Sequence, residues 1–175
     1  PGVKIITPVI YPDQRGFFYE HYNQNDYKRF GIDYNFVQDN LSFSKKGVLR
    51  GLHFQKKRPQ GKLVTVLDGS VIDVVVDINP LSNTFMKYIA IELNQLNHNQ
   101  IWIPPGYAHG FYVKSEYAYF LYKCTNYYDP TDEYGIKWND TDLKINWQLH
   151  ANNSPKLSSK DEKNVSLSSY LNNEE

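Results

Sequence analysis

The stretch Val71-Ile72-Asp73-Val74-Val75-Val76-Asp77-Ile78 decides the fold class of this chain of 175 residues. Neighbouring side chains of an extended strand point to opposite faces, so this stretch carries apolar side chains on both of its faces. A strand of that kind is buried on both sides. We therefore expect residues 71–78 to form a central strand of a sheet.

Short strand-like segments, separated by turn residues, continue on both sides of this stretch. They are 16–22, 34–43, 48–54, 62–67, 86–93, 100–103, 110–113 and 117–125, with 144–147 as a candidate tenth strand. This density of short strands is typical of an all-β sandwich or barrel.

Signals for helices are sparse. Residues 25–30 predict one or two helical turns, and Ser159-Lys160-Asp161-Glu162 has the spacing of a capping box at a helix start. We expect a single domain over residues 1–175. Its barrel covers about 1–150, and a short helical C-terminal appendage covers about 151–175.

Composition argues against several functional classes. The 19 Lys and Arg residues balance the 19 Asp and Glu residues, so neither nucleic acid nor an anionic membrane is an expected partner. No apolar run approaches the roughly 18–20 residues of a membrane span. The single cysteine, Cys124, rules out a disulfide framework within the chain and favours a reducing, cytoplasmic location. The aromatic content of 15% fits a strand-rich fold and leaves open a cavity lined with rings.

Polar and cationic residues concentrate around residues 48–55, Val-Leu-Arg-Gly-Leu-His-Phe-Gln. Strand alternation places Arg50 and His53 on opposite faces, unless a bulge at Gly51 resets it. A lone semi-buried histidine is often a core residue that bonds a carbonyl. Arg50 and Lys62 nearby favour a bound anion instead.

A second such stretch is 102–111, Trp-Ile-Pro-Pro-Gly-Tyr-Ala-His-Gly-Phe, in which a tight turn precedes His109. A metal needs three or four convergent ligands, and neither His53 nor His109 has a second histidine two residues away or a glutamate directly after it, so we expect no metal. No phosphate-cradling loop or serine nucleophile motif occurs. The remaining chemistry is a histidine base, a tyrosine acid and cations, which suit proton transfer at a carbon beside a carbonyl.

Nine stretches in order resemble the dTDP-4-dehydrorhamnose 3,5-epimerase family, a group of cupin-type (jelly-roll) β-barrels that act on nucleotide sugars. The stretches cover nearly the whole chain and are 13–18, 36–42, 47–55, 60–64, 73–77, 103–111, 120–123, 126–128 and 157–161. The resemblance implies a cofactor-independent isomerase whose substrate is a nucleoside-diphosphate 4-keto sugar. It also implies a homodimer.

The resemblance further implies four catalytic residues. His53 of Leu-Arg-Gly-Leu-His is the base, and Asp161 of the late Ser-x-Lys-Asp motif is its carboxylate partner. Tyr122 of Phe-Leu-Tyr-Lys is the acid. Lys62 of Gln-Gly-Lys lies by the C4 oxygen of the sugar and stabilises the enolate.

Residues that bind the diphosphate, nucleotide and sugar follow in the same way. They are Arg15, Phe17, Glu20, Gln38, Asn40, Arg50, His109 and Tyr128. Arg15, Phe17 and Glu20 are expected to reach into the site of a partner subunit. Asp73 is expected to support His109, because an aspartate on a buried strand needs a partner.

The chain departs from the family pattern at Leu41, at Asn79 and in the short loop 56–59. These departures leave the acid and base residues intact, but they leave the nucleotide, the sugar and the receiving pathway, such as capsule or O-antigen synthesis, open. A GDP-4-keto-heptose epimerase that inverts one centre, a binding protein without catalysis, and a metal-dependent cupin enzyme remain as alternatives.

Overall fold

The computed structural model describes residues 2–150 and 154–172. Its strands are β1 (Lys4–Ile6), β2 (Tyr11–Asp13), β3 (Gly16–Phe18), β4 (Gln38–Lys45), β5 (Leu49–Gln55), β6 (Lys62–Asp77), β7 (Tyr88–Asn94), β8 (Gln100–Ile103), β9 (Tyr107–Cys124) and β10 (Glu133–Gly135). Its helices are α1 (Gln24–Arg29) and α2 (Leu167–Asn172), with a 3₁₀ turn at Asp161–Lys163. Within those ranges, no helix has the length and apolar character to cross a membrane.

Two long strands organise the fold. β6 and β9 pair antiparallel from Lys62 opposite Cys124 to Asp77 opposite Tyr107. The sequence predicts two strands in place of each, and this expectation is wrong. The Asp68-Gly69 step is not a turn but a kink, where the register of β6 shifts twice.

The kink divides the sheet into two layers. The first layer is β1, β8, the first half of β6, the second half of β9, and β4. The second layer is β7, the second half of β6, the first half of β9, β5 and β10. This arrangement confirms the expected all-β barrel of the jelly-roll type.

Residues 71–78 form the central strand that the sequence predicts. Val71 and Val75 belong to one buried cluster, which draws on strands of both layers and fills the interior. Ile72 and Val74 belong to a second cluster on the other face, where Trp147 and Leu167 cover them. Both faces of residues 71–78 are therefore shielded from water, which explains their nearly continuous apolar sequence.

The helix expected at 25–30 is confirmed as α1, where the Asn23 side chain caps the start by accepting from the Asn25 N–H. The candidate strand at 144–147 is wrong. Lys144 has a positive φ of 48°, and residues 144–147 are not part of any strand ladder. The short strands β1, β2 and β10 give no clear sequence signal.

The capping box at 159–162 is also wrong, by one residue. Ser158, not Ser159, accepts the Asp161 N–H, and its hydroxyl donates to the Asp161 carboxylate at 2.7 Å. Only a 3₁₀ turn follows. Residues 151–153, where the sequence places the start of the appendage, lie outside the described residues. Beyond them, Leu167 and Tyr170 pack against the outer face of the second layer.

Two glycines have backbone conformations that disfavour other residues, but only one of them also lacks space for a side chain. Gly51 and Gly106 both have positive φ angles, 113° and 93°. A Cβ on Gly51 would lie 2.6 Å from Gly110 Cα, whereas a Cβ on Gly106 would meet nothing within 4 Å. We expect Gly106→Ala to lower the free energy of unfolding by about 1 kcal/mol. We expect Gly51→Ala to lower it by about 3 kcal/mol or more, because β5 and β9 would have to separate.

Urea unfolding of the two variants and the parent measures both values. Equal losses would contradict a close backbone approach between β5 and β9.

Candidate active site

A cavity of about 350 Å³ opens between the two layers at one end of the barrel. Its walls come from strands β4, β5, β6 and β9, together with Tyr128, β10 and Lys160. Eight of the residues singled out in the sequence line it: Gln38, Asn40, Arg50, His53, Lys62, His109, Tyr122 and Tyr128. The cavity therefore gathers side chains from Gln38 to Lys160, which are far apart in the chain.

A bulge in β5 brings Arg50 and His53 to the same cavity. The pairing of β5 with β9 shifts register between these two residues. Leu49 and Leu52 consequently both enter the buried core, while Arg50 and His53 both line the cavity. The bulge considered at Gly51 is confirmed, and the regular alternation that would separate the two side chains is wrong.

The C-terminal segment supplies a carboxylate to His53. Nε2 of His53 lies 2.6 Å from Oδ1 of Asp161, which is almost fully buried. Asp161 also accepts the Gly51 N–H at 3.3 Å and the Ser158 hydroxyl. Burial works against ionisation of Asp161, but the hydrogen bonds from His53, Ser158 and Gly51 outweigh it and lower the pKa of its carboxyl.

This contact sets the tautomer of His53. An ionised carboxylate can only accept a hydrogen bond, so Nε2 carries the hydrogen and Nδ1 keeps its lone pair. The geometry thus presents Nδ1 as the nitrogen that is able to take a proton.

A second carboxylate, Glu133, lies on the other side of the imidazole and was not predicted. Its Oε1 is 3.9 Å from Nδ1 of His53, and its Oε2 accepts the Tyr128 hydroxyl at 2.5 Å and pairs with Lys160. Burial opposes its ionisation, but the contacts with Lys160, Tyr128 and His53 lower the pKa of Glu133. An acid in a three-residue strand has no sequence signal. Lys160 could have been found, because it precedes Asp161 in the same motif.

Tyr122 and Lys62 occupy the inward faces of β9 and β6. Lys62 Nζ lies 5.9 Å from the centroid of the Tyr122 ring. Burial, with Cys124 and Glu133 nearby, raises the pKa of Tyr122 to about 12, so its hydroxyl stays protonated. Burial lowers the pKa of Lys62, and the neighbouring Cys124, Glu133 and Asp73 only partly oppose this.

His109 lies deeper in the cavity wall and contacts Asp73 as expected. Nε2 of His109 is 2.8 Å from Oδ2 of Asp73, and both residues are buried. Desolvation lowers the pKa of His109 in spite of the adjacent carboxylate. The imidazole is therefore neutral, and its Nε2–H donates to Asp73.

Three predicted binding residues lie outside this cavity. Arg15 and Phe17 are on the exposed hairpin of β2 and β3, and Glu20 follows it. Arg15 pairs with Asp13 at 2.6 Å, and the Phe17 ring stacks on Tyr19 at 6.0 Å. A single chain does not bring these three residues to the cavity.

Within residues 2–150 and 154–172, no three His, Cys, Asp or Glu side chains converge in a group that could hold a metal ion. The cavity instead combines a carboxylate-oriented histidine, a protonated tyrosine, a buried amine and a guanidinium. This set is suited to moving protons on a bound anionic ligand.

Comparison with known proteins gives a consistent family assignment. The dTDP-4-dehydrorhamnose 3,5-epimerase profile matches residues 1–169. The chain is 50% identical over 163 residues to the dTDP-4-dehydrorhamnose 3,5-epimerase of Salmonella typhimurium, covering 92% of this chain and 88% of that protein.

Two solved structures are similar as well. One is the dTDP-6-deoxy-D-glucose-3,5-epimerase of Legionella pneumophila in complex with dTDP-4-keto-L-rhamnose, with 50% identity, a TM-score of 0.92, and coverage of 95% of this chain and 88% of that one. The other is the Bacillus anthracis dTDP-4-dehydrorhamnose 3,5-epimerase with TDP and PPi bound, with 39% identity, a TM-score of 0.90 and 94% coverage of each chain. The chain belongs to the dTDP-4-dehydrorhamnose 3,5-epimerase family, as its ordered motifs predict, and its enzyme class is that of an isomerase.

Proposed function

We propose that the protein inverts C3 and C5 of a dTDP-linked 4-keto-6-deoxyhexose in deoxysugar biosynthesis. The observation that carries this proposal is the contact of His53 with Asp161 inside a cavity that also holds Tyr122 and Lys62. The names of the Salmonella and Legionella relatives support the choice of dTDP and of both centres.

In the first step, Nδ1 of His53 takes the proton from the carbon next to the C4 carbonyl. The electron pair of the broken C–H bond forms the enolate, and the negative charge moves to the C4 oxygen. The ionised Asp161 stabilises the imidazolium that results. Lys62 donates a hydrogen bond to this oxygen, and its positive charge stabilises the negative charge that develops there.

In the second step, Tyr122 gives its proton to the same carbon from the other face of the sugar. A new C–H bond forms with inverted configuration. The tyrosinate then recovers a proton, and His53 releases the one that it took, so the enzyme returns to its starting state. A hydroxyl with a pKa of about 12 suits this role, because it is protonated at every physiological pH.

The diphosphate occupies the polar wall that Gln38, Asn40, Arg50 and His109 form in this proposal. Arg50 provides the charge, and the two amides and the imidazole provide hydrogen bonds. The Tyr128 ring, at the rim of the cavity, is available to contact the nucleotide. The site needs no bound cofactor, because every proton it moves has a carrier in the chain.

The protein works as a homodimer in the cytoplasm in this proposal. The hairpin of β2 and β3 exposes Phe17 and Phe18, and the outer faces of β4 and β9 expose Phe43 and Tyr119. Exposed apolar surfaces of this kind are typical of protein interfaces. A hairpin that docks on a partner would bring Arg15 and Phe17 to the partner's cavity. A chain whose single cysteine, Cys124, is buried fits a reducing compartment.

The alternatives receive less support. A binding protein without catalysis does not require a buried carboxylate that sets the tautomer of a histidine. The Salmonella and Legionella relatives are named for dTDP sugars and for inversion at two centres, not for GDP-heptoses.

Exchange in heavy water separates the roles of base and acid. With the dTDP-linked 4-keto sugar, we expect His53→Asn to lower the rate of deuterium uptake at C3 and C5 about 10²–10⁴-fold. Tyr122→Phe should still take up deuterium, but without inversion. His53 removes the proton, exchanges it with heavy water, and returns a deuteron to the same face of the sugar. NMR reads both outcomes, and His150→Asn, at a different cavity, is the control. Wild-type exchange rates in His53→Asn would show that another group is the base.

The buried amine should cost stability. Because burial lowers the pKa of Lys62 below its unfolded value of 10.5, its protonated form destabilises the folded state at neutral pH. This penalty declines as the pH rises through the folded pKa and is gone above the unfolded pKa. We expect Lys62→Met to raise Tm at pH 7 by about 2–4 °C, roughly 1 kcal/mol, and to reduce kcat about 10²-fold or more.

Differential scanning calorimetry at pH 7 measures the change, with the exposed Lys137→Met as the matched control. A Lys62→Met protein that is less stable than the parent would disprove the desolvation penalty.

Mixing two impaired variants tests whether Arg15 acts in the partner's site. We expect Arg15→Ala to lower kcat/KM about 10- to 100-fold, since it removes a charged hydrogen bond. In a mixed dimer of Arg15→Ala and His53→Asn, one site has His53 of one chain and Arg15 of the other, so activity should rise to as much as half that of the parent. If Arg15 serves its own chain, the mixture gains nothing.

A further inference from the structure

A row of polar side chains on strand β4 includes two serines that the proposed mechanism does not use. Gln38, Asn40, Ser42 and Ser44 alternate along its inward face. Ser44 is only 3% exposed, and its Oγ accepts a hydrogen bond from Nε of Arg50 at 3.0 Å. Among the described residues, the buried Oγ of Ser42 has no hydrogen-bond partner, and Ser42 lines the cavity. This wall therefore keeps hydrogen-bonding groups available for a ligand.

The backbone fixes the contact between Ser44 and Arg50. Strands β4 and β5 follow one another along the same edge of β9, with Ser44 opposite Ala118 and Arg50 opposite Phe111. Between them, the Lys46 N–H donates to the carbonyl of Glu116 and holds the connection against β9. Both partners of the contact are thus anchored to one strand, and neither depends on a flexible loop.

This hydrogen bond decides how Arg50 can meet an anion. A guanidinium binds an anion either side-on, through Nε and one Nη, or end-on, through both Nη groups. Ser44 occupies the Nε–H of Arg50 and is itself buried. Only the two Nη groups remain for the cavity.

We propose that Ser44 is a positioning residue that holds the Arg50 guanidinium end-on toward the diphosphate of the nucleotide sugar. The inference rests on the proposed function for the identity of the anion. The geometry itself requires only an anion with paired oxygens. A preoriented guanidinium loses less freedom on binding, so the hydroxyl contributes to affinity without touching the ligand.

Calorimetric titration with dTDP, pyrophosphate and thymidine tests this role. We expect Ser44→Ala to weaken dTDP and pyrophosphate about tenfold and to leave the binding of thymidine, which has no phosphate, unchanged. In turnover, KM should rise with a smaller change in kcat. Ser44→Thr, which keeps the acceptor, should bind within about twofold of the parent.

A double-mutant cycle links the effect to Arg50. Lysine carries a methylene where arginine has Nε, so it cannot donate to Ser44 from that position. Adding Ser44→Ala to Arg50→Lys should therefore weaken the binding of dTDP and pyrophosphate by less than about twofold. The same tenfold loss in that background, or an equal loss for thymidine, would overturn the inference. Thermal unfolding of each variant confirms that it is folded, and Ser44→Cys, with a larger side chain and a weaker acceptor, replaces Ser44→Ala if that variant unfolds.

The pyrophosphate titration distinguishes this inference from the proposed function. If the parent binds pyrophosphate but not dTDP, the proposed nucleotide is wrong, while a tenfold loss in Ser44→Ala would still support the role of Ser44. A parent protein that binds neither ligand would overturn both.

Discussion

The antiparallel pairing of β6 and β9 is the constraint on which the rest of the structure depends. The two strands pair from one end of the barrel to the other, and both layers are built on them. They also carry Lys62 and Asp73 on one side of the ladder and His109 and Tyr122 on the other. The inward faces of two adjacent strands therefore place the amine, the tyrosine hydroxyl and the paired imidazole in one cavity. A change of register between β6 and β9 would turn these side chains to the other face.

The buried carboxylates of the site have hydrogen-bond partners, whereas the charge of Lys62 is compensated only in part. Asp161 and Asp73 are buried, but each contacts a histidine, and Asp161 accepts two more hydrogen bonds. Lys62 is different, because burial lowers its pKa and the acidic groups around it compensate only in part. In the proposed mechanism, an amine held in this way is available to an oxygen that becomes negative during the reaction. The penalty for burying it is then recovered only when that charge forms.

Much of this arrangement could be predicted from the sequence, and the failures have physical causes. Residues 71–78 indicate their own burial, since the period of side chains on a strand is local information. The sequence predicts a turn at the kink of Asp68-Gly69, because the same residue types serve both purposes. Gly69 has a φ of 91°, and a Cβ there would lie 2.1 Å from the Tyr117 carbonyl oxygen, so the glycine is needed for close strand approach. Glu133 could not be found, because its role depends on the pairing of β10 with β5, which no local pattern encodes.

The position of Asp161 shows why the barrel alone is not the functional unit. The barrel strands supply Tyr122, Lys62 and Arg50, but the carboxylate that orients His53 comes from a 3₁₀ turn 108 residues away in the chain. Ser158 holds that turn through both the N–H and the carboxylate of Asp161, and Lys160 on the same turn pairs with Glu133. Asp161 thus contacts Nε2 of His53 directly, and Lys160 contacts Glu133, the carboxylate nearest to Nδ1. The orientation of His53 therefore depends on the docking of the C-terminal segment as well as on the sheet. Release of this segment would remove the carboxylate contact of His53, while the polar side chains of β4 remain on the sheet.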